Sequence, residues 1–588
     1  MTHDPPVLPP RLGRTGWMLA GGLILLVLAS TWTGWANHWV QDDIPIILDN
    51  QTAHSLGLAW HGFLEAYWPA PYTRELYRPL TIMLFAVQWL VGEGSPVVFR
   101  LVSTALYAGV VLAVWRLAGR LMPMAMAWVV AALFAVHPVH VEAVAVAVNQ
   151  AELLVALIAV LMVTAWYDRR TAGLPTGGGW GAGMVATYMV AMLVKEHALV
   201  IPFLIAAMEW SILDDERPLR SRLKAHLSVI SGAIVSVALM VAVRRYVLIG
   251  NTRGTFTAEG LVSSGLGGRA MTMLGVVPEW FRLLIWPHHL QADYSPREIV
   301  PATGFGINQV LGVILLGLAL VILLRCRRRL PVASFGAAWL AIGLGPVHNV
   351  LVPTGIVLAE RTLFLGSIGF VLGGVVLIHA GWRTLEGADT RVARALATVG
   401  IGVLLLLGVS RSASRQRVWH DQATLWRQTV IDAPLSYRAH RAWAEVLFHG
   451  GAKGPGEQHY LEAIALYPAG WPVYLDLADR YRIAGQCYPA MELYQQALTL
   501  SPNVPAGRAS LVACLVHLGR FREAAAEART GALLALEAVG DPRLDSILAD
   551  AHITLTRYAE IADSAATVGA APGSVSLPPP PERAVDHP

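Results

Sequence analysis

WMLAGGLILLVLASTWTGWANHWVQDD, residues 17–43, opens as an apolar run and closes on two adjacent aspartates, Asp42 and Asp43. The run from Trp17 to about Trp35 approaches the roughly 20 residues that an α-helix needs to cross a bilayer. Its exit, Thr31-Trp32-Thr33-Gly34-Trp35, has the aromatic character of a membrane interface. Arg11 and Arg14 ahead of it would also suit a secretory leader, but the run ends without a small-x-small cleavage site and reads as a retained first span. A carboxylate pair just beyond such a span can ionise in a water-filled cleft beside lipid and accept a proton from a hydroxyl nucleophile. The plainer alternatives are solvated loop charge and a helix cap.

Working outward, the whole chain has the composition of a membrane protein. Of 588 residues, 55% are hydrophobic and only 14% charged, with a mean hydropathy of +0.51, more apolar than a soluble globular chain. Apolar stretches recur to about Ser410 and then stop, which predicts an all-α polytopic helical domain over 17–410 and a different C-terminal third. The net charge of +4 is spread over membrane flanks, which speaks for orientation and against nucleic-acid binding. The three cysteines, Cys326, Cys487 and Cys514, show neither a disulfide framework nor zinc spacing.

Basic clusters at alternate span ends set the topology: Arg11/Arg14, Arg116/Arg120, Arg169/Arg170, Arg217 to Lys224, Arg325 to Arg329 and Arg383/Arg391/Arg394. Between them fall about eleven spans, near 17–35, 97–117, 124–138, 152–167, 179–195, 198–213, 227–248, 307–324, 331–346, 364–380 and 395–410. Several are short enough to be half-spans. An odd number puts a tail of residues 1–16 in the cytoplasm and the loops 36–96 and 249–306, a linker 411–436 and everything after it on the outer side.

Ionisable residues that orientation does not explain gather at the outer ends, and such residues are functional suspects. They are His137-Pro138-Val139-His140-Val141-Glu142, Asn149-Gln150-Ala151-Glu152, Lys195-Glu196-His197, Arg244-Arg245 and Glu360-Arg361. The alternative for Lys195 with Glu196, or Glu360 with Arg361, is a structural ion pair or a snorkelling end. His140, His197, His288, His289 and His348 match no helical ligand pair with a carboxylate, which favours hydrogen bonding over metal ligation.

In the C-terminal third Tyr460 repeats as Tyr494, Pro468 as Pro502 and Ala490 as Ala524, each thirty-four residues on. That is the period of the tetratricopeptide repeat, a helix pair with small residues at the crossing and proline at the exit. Three units fit, 437–470, 471–504 and 505–538, the first degenerate with Gly456 in place of the usual alanine. A capping helix over 539–568 and a disordered Pro-rich tail over 569–588 would follow. Such a stack binds extended peptides or proteins, or serves as a spacer.

Together these blocks resemble the transmembrane and tetratricopeptide-repeat O-mannosyltransferases, a branch of the GT-C glycosyltransferase superfamily, over nearly the whole chain. Gln41-Asp42-Asp43 with Ile44 to Asn50 is similar to the family's paired-aspartate loop, and Tyr77-Arg78-Pro79-Leu80 to its arginine motif. His137 to Val144 with Ala151-Glu152-Leu153, Lys195-Glu196, Trp286-Pro287-His288-His289-Leu290 with Asp293-Tyr294-Ser295, and Ala359-Glu360-Arg361-Thr362-Leu363 with Ser367-Ile368-Gly369 resemble further blocks. The chain departs from the family at Asn149-Gln150, where Gly-Arg is common, and at His197, where a glutamine or similar residue is common.

The resemblance implies transfer of a sugar, mannose in the family, from a polyprenyl-phosphate carrier to serine or threonine hydroxyls of proteins on the outer side, with no cofactor and no metal. Asp42 is expected as the base and Asp43 as its helper. Arg78, Lys195, Arg245 and Arg361 are expected on the departing phosphate. Glu142 is placed on sugar hydroxyls or beside the base, and His140, Glu152, Glu196, Asp293 and Glu360 belong to the same donor- and acceptor-binding set. The partners implied are membrane lipid, the lipid-linked donor and a polypeptide acceptor held by the repeats. Two alternatives stand beside this: a GT-C transferase acting on a lipid or cell-envelope glycan, and a non-catalytic membrane scaffold.

Overall fold

Long apolar segments punctuated by proline and by single extended residues fold here as helices broken where the site must be built. The computed structural model describes residues 13–581 apart from 70–71, 73–75, 214–216, 249–257, 263, 385–389 and 538–541, so most of the expected N-terminal tail lies outside the described residues. Among those described there is no strand. Among the described residues, eight helices are long and apolar enough to span a bilayer, and nine if the bent pair Met124–Ala135 and Pro138–Ala145 counts as one. Shorter apolar helices Gly178–Val194 and Pro331–Val347 lie where two further spans were expected. This is an all-α polytopic membrane fold.

Helices Pro96–Leu121 and Gln150–Thr171 occupy the centre, their Val110, Val114, Val155 and Ala159 fully buried. Helix Ile307–Arg325 is apolar all round and exposes Val313, Ile314, Leu318 and Val321, as a helix against lipid does. Helices Pro331–Gly343 and Phe364–Arg383 cross at glycines: a Cβ on Gly336 would lie 2.5 Å from the Gly369 carbonyl oxygen, so only hydrogen fits there.

Three breaks position the site. The bent pair turns by 51° at His137-Pro138, where proline removes a backbone donor. Lys195 and Ala359 are each a single extended residue ahead of a tight turn, Glu196–Val200 and Glu360–Leu363 respectively. Each break carries charged residues to the same end of the bundle.

The stretches read from sequence as plain loops are themselves helical. Residues 36–96 contain the apolar helix Pro79–Gly92, and 249–306 contain the amphipathic helix Leu266–Ile285. The latter buries Met273, Val276, Val277, Trp280, Leu283 and Leu284 against Leu340, Leu358 and Leu363. The expected linker 411–436 is also packed: the span Arg391–Gln416 runs into it, helix Gln422–Asp432 follows, and Arg415 is buried in an ion pair with Asp432 at 2.6 Å.

Helix pairs then open at Tyr437, Trp471 and Pro505, and Pro542–Val568 closes the stack. Gly456 has a spatial reason, because a Cβ there would lie 2.6 Å from the Phe448 ring. Two expectations are overturned in this region. Cys487 and Cys514, read as unpaired, form a disulfide between the second and third helix pairs, since helix stacking brings their Cα atoms to 5.1 Å across 27 residues of chain. The tail, read as disordered from residue 569, is described to Pro581, and Val575 and Leu577 pack on the repeat core.

Candidate active site

The two aspartates part company at once. Asp43 is fully buried, accepts the backbone N–H groups of Val148 at 2.9 Å and Ala147 at 3.2 Å, and pairs with the buried guanidinium of Arg100 at 3.0 Å. Burial pushes its carboxyl above the ordinary carboxylate range while Arg100 and the two N–H groups pull it down. Every acceptor of Asp43 faces protein, so it braces the turn 147–149 against the first loop.

Asp42 points elsewhere. Gln41 before it holds a left-handed φ of 47° and a single wide turn over Ile44–Leu48 follows, which rotates the two carboxylates apart. A non-glycine residue in that region costs about 1–2 kcal/mol, a kind of strain that collects at functional sites. Asp42 is half-buried, has no ion pair or side-chain hydrogen bond among the described residues, and lies within electrostatic reach of Arg361, Tyr67 and Tyr72.

Around it the breaks deliver a mesh of ion pairs. Arg361 donates its backbone N–H to Glu142 at 2.7 Å and pairs with the same carboxylate through its guanidinium. Lys195 lies 2.8 Å from Glu152, whose other oxygen is 2.8 Å from His197. Arg78 donates to Glu196 at 3.0 Å and stands over the Tyr67 ring at 5.0 Å, and Arg244 approaches Glu196 at 3.8 Å. Lys195 is within electrostatic reach of both Arg78 and Arg361, so the pairs form one cluster. Two residues before Arg78, Leu76 is another non-glycine residue with left-handed φ, at 57°. Burial would lower the Arg78 guanidinium, but Glu196 and Tyr67 hold it above its usual value.

Four expected residues stand apart from this mesh. His140 is buried, with its two ring nitrogens 2.8 Å from Tyr107 and 2.8 Å from Ser367, and so serves packing. Asp293 accepts from the Ser436 hydroxyl at 2.6 Å and from the Ser295 N–H at 2.9 Å, tying the segment after helix Leu266–Ile285 to the first repeat. Glu360 is buried and accepts the Gln291 N–H at 2.6 Å and the Tyr294 hydroxyl at 3.3 Å. Arg245 is exposed, and its neighbour Arg244 is the one that faces Glu196. Adjacent helical residues point about 100° apart, which sequence alone could not assign.

Residues missed in the sequence include Arg100, Tyr67 and Arg244 in its site role. Arg100 reads as part of an ordinary span, and an arginine inside an apolar run, apart from the basic clusters at span ends, was the available but weak signal. Gln150, which stands where the family commonly has arginine, turns away from the cluster to bond Gln88 at 2.9 Å and the Phe99 carbonyl at 3.0 Å. Loop and repeats meet on the side that carries the cluster: Gln291 donates to the Asp432 carbonyl at 2.9 Å, and Tyr437 bonds Glu259.

No family model matches the chain. Among curated proteins it is similar to mouse protein O-mannosyl-transferase TMTC3, with 23% identity over 515 residues, 83% of this chain and 55% of the relative. Mouse TMTC4 gives 26% over 490 residues, 74% of this chain and 64% of the relative. Fruit-fly (Drosophila melanogaster) Tmtc3 gives 23% over 537 residues, 80% of this chain and 57% of the relative. The chain thus spans less than two thirds of the length of these relatives. Over most of its own length the chain is similar to the TMTC protein O-mannosyl-transferases.

Proposed function

We propose that the chain is a membrane glycosyltransferase that moves a sugar, mannose by analogy with its relatives, from a polyprenyl-phosphate carrier to serine or threonine hydroxyls of polypeptides on the outer side of the membrane. The observation that carries the reading is Asp42: a carboxylate with no partner among the described residues, within electrostatic reach of Arg361 in a cluster of half-buried cations.

In this reaction the acceptor oxygen attacks the anomeric carbon as the bond from that carbon to the phosphate oxygen breaks. Asp42 takes the hydroxyl proton as the new bond forms, and the phosphate leaves with its negative charge. Arg361, Lys195 and Arg78, each already oriented by a carboxylate and each with further N–H donors, receive that charge. Single in-line displacement inverts the anomeric centre. Asp43 acts indirectly, by fixing the loop on which Asp42 stands.

Two features support the outer side for both cluster and repeats. A disulfide between Cys487 and Cys514 suits an oxidising compartment, and helix Gln422–Asp432, which leads into the repeats, accepts from Gln291, the residue whose N–H holds Glu360 next to Arg361. The test is Asp42→Asn in the purified chain with a lipid-linked mannose and a serine/threonine peptide. Transfer is expected to fall by about 10²–10⁴-fold with donor binding retained. Near-normal transfer would overturn the assignment.

A further inference from the structure

Beyond the last repeat helix runs the serine- and proline-rich stretch APGSVSLPPPP, residues 571–581. It does not leave the molecule. The Ala570 N–H bonds the Ala565 carbonyl at 3.0 Å and the Ser574 N–H bonds that of Ala571 at 3.1 Å, which turns the chain back on the stack. Val575 and Leu577 are then half-buried against the repeat core, while Ser574 and Ser576 stay exposed, the two-residue alternation of an extended segment.

The surface beneath is formed for backbone approach. The Tyr558 hydroxyl donates to the Pro578 carbonyl, and Tyr558 itself lies within electrostatic reach of Arg482 in the second repeat. Pro572 sits over the turn of the third repeat, where a Cβ on Gly519 would lie 2.9 Å from the proline ring. Apolar contacts at alternate side chains plus a side-chain donor to the backbone are how proteins receive extended peptides.

We propose that this face, shared by the second repeat, the third repeat and the closing helix, is the polypeptide-docking surface of the chain, and that its own tail is a displaceable occupant. The tail describes the partner it stands for: an extended polypeptide with apolar residues two apart, a serine hydroxyl displayed between them, and proline following. The inference rests on the reading that the repeats receive a polypeptide acceptor. A tail joined directly to its site competes at an effective concentration of about 1 mM, so if the tail's own dissociation constant is about 100 μM, a separate segment binds about tenfold more weakly to the chain that carries the tail.

Three forms of the purified full chain in nanodiscs decide the matter: intact, lacking residues 571–588, and carrying Val575→Ser with Leu577→Ser. A fluorescein-labelled synthetic peptide of residues 571–581 is titrated against each by anisotropy. Both altered forms are expected to bind it at least about tenfold more tightly than the intact chain. Tyr558→Phe in the shortened form should weaken binding severalfold, and a peptide with both apolar positions changed to serine should not bind. Equal affinity for intact and altered forms, or no binding to altered forms that keep their helical circular dichroism, would overturn the proposal and leave the tail a structural seal. Should deletion unfold the repeats, the double serine form carries the test alone. Because the assay reads binding without sugar transfer, an inactive enzyme that still shows tail-regulated binding would count against the reaction and not against this surface.

Discussion

Arg361 holds the Glu142 carboxylate twice, through its backbone N–H at 2.7 Å and through its guanidinium, across 219 residues of chain. The pairing ties the second half of the bent helix pair to the turn Glu360–Leu363 ahead of helix Phe364–Arg383, and it fixes one edge of the guanidinium while other N–H groups stay available. Glu142 is buried and Arg361 only partly so, which leaves part of the cation open within electrostatic reach of Asp42.

Glu142→Gln should therefore keep the backbone contact but release the guanidinium. Sugar transfer is expected to fall by about 10–100-fold in kcat, with thermal unfolding little changed, because a positioned cation contributes mainly to the transition state. Steady-state kinetics alongside a melting curve separates this positioning role from a merely structural one.

Asp43 and Asp42 should respond differently to the same chemistry. Removing one partner of the fully buried Asp43–Arg100 pair leaves an uncompensated charge, so Asp43→Ala or Arg100→Ala is expected to cost about 3–5 kcal/mol and to lower the folded yield. Asp42→Ala should melt as the unchanged chain does. Fluorescence-detected thermal unfolding in detergent reads both.

Arg244 and Arg245 offer an internal control. Arg244→Ala removes a cation 3.8 Å from Glu196 and should raise the donor KM severalfold, whereas Arg245→Ala should leave it within about twofold, since exposed charge is screened. Donor titration at constant acceptor measures the difference.

The Cys487–Cys514 disulfide closes a 27-residue loop. Loop-closure entropy makes its removal worth about 3 kcal/mol, so Cys487→Ser should unfold the repeats at lower temperature, and a reductant should reproduce the effect only in the unchanged chain. Thiol alkylation with mass spectrometry is expected to label Cys326 without reductant and the other two only after it.

Much of this was legible in advance because it depends on periodicities local to the chain. The thirty-four-residue offsets marked helix pairs beginning at Tyr437, Trp471 and Pro505, and the charged blocks at span ends named Glu142, Glu152, Lys195, Glu196 and Arg361, which do meet. What escaped depends on rotation and on distant neighbours. Nothing in Asp42-Asp43 says which carboxylate is swallowed by Arg100, and nothing in Arg244-Arg245 says which faces Glu196. His140, Asp293 and Glu360 carry suitable chemistry but spend it on Ser367, Ser436 and Gln291.

By itself, then, the sequence determined that the chain is a helical membrane protein with a repeat domain, because hydrophobic run length and repeat spacing are properties of consecutive residues. Only the tertiary structure decided that Asp42 is the carboxylate left facing the cations, that Cys487 reaches Cys514, and that the tail lies on the repeats. Each of these rests on contacts between segments far apart in the chain, whose partners are chosen by packing and burial and leave no mark in local spacing.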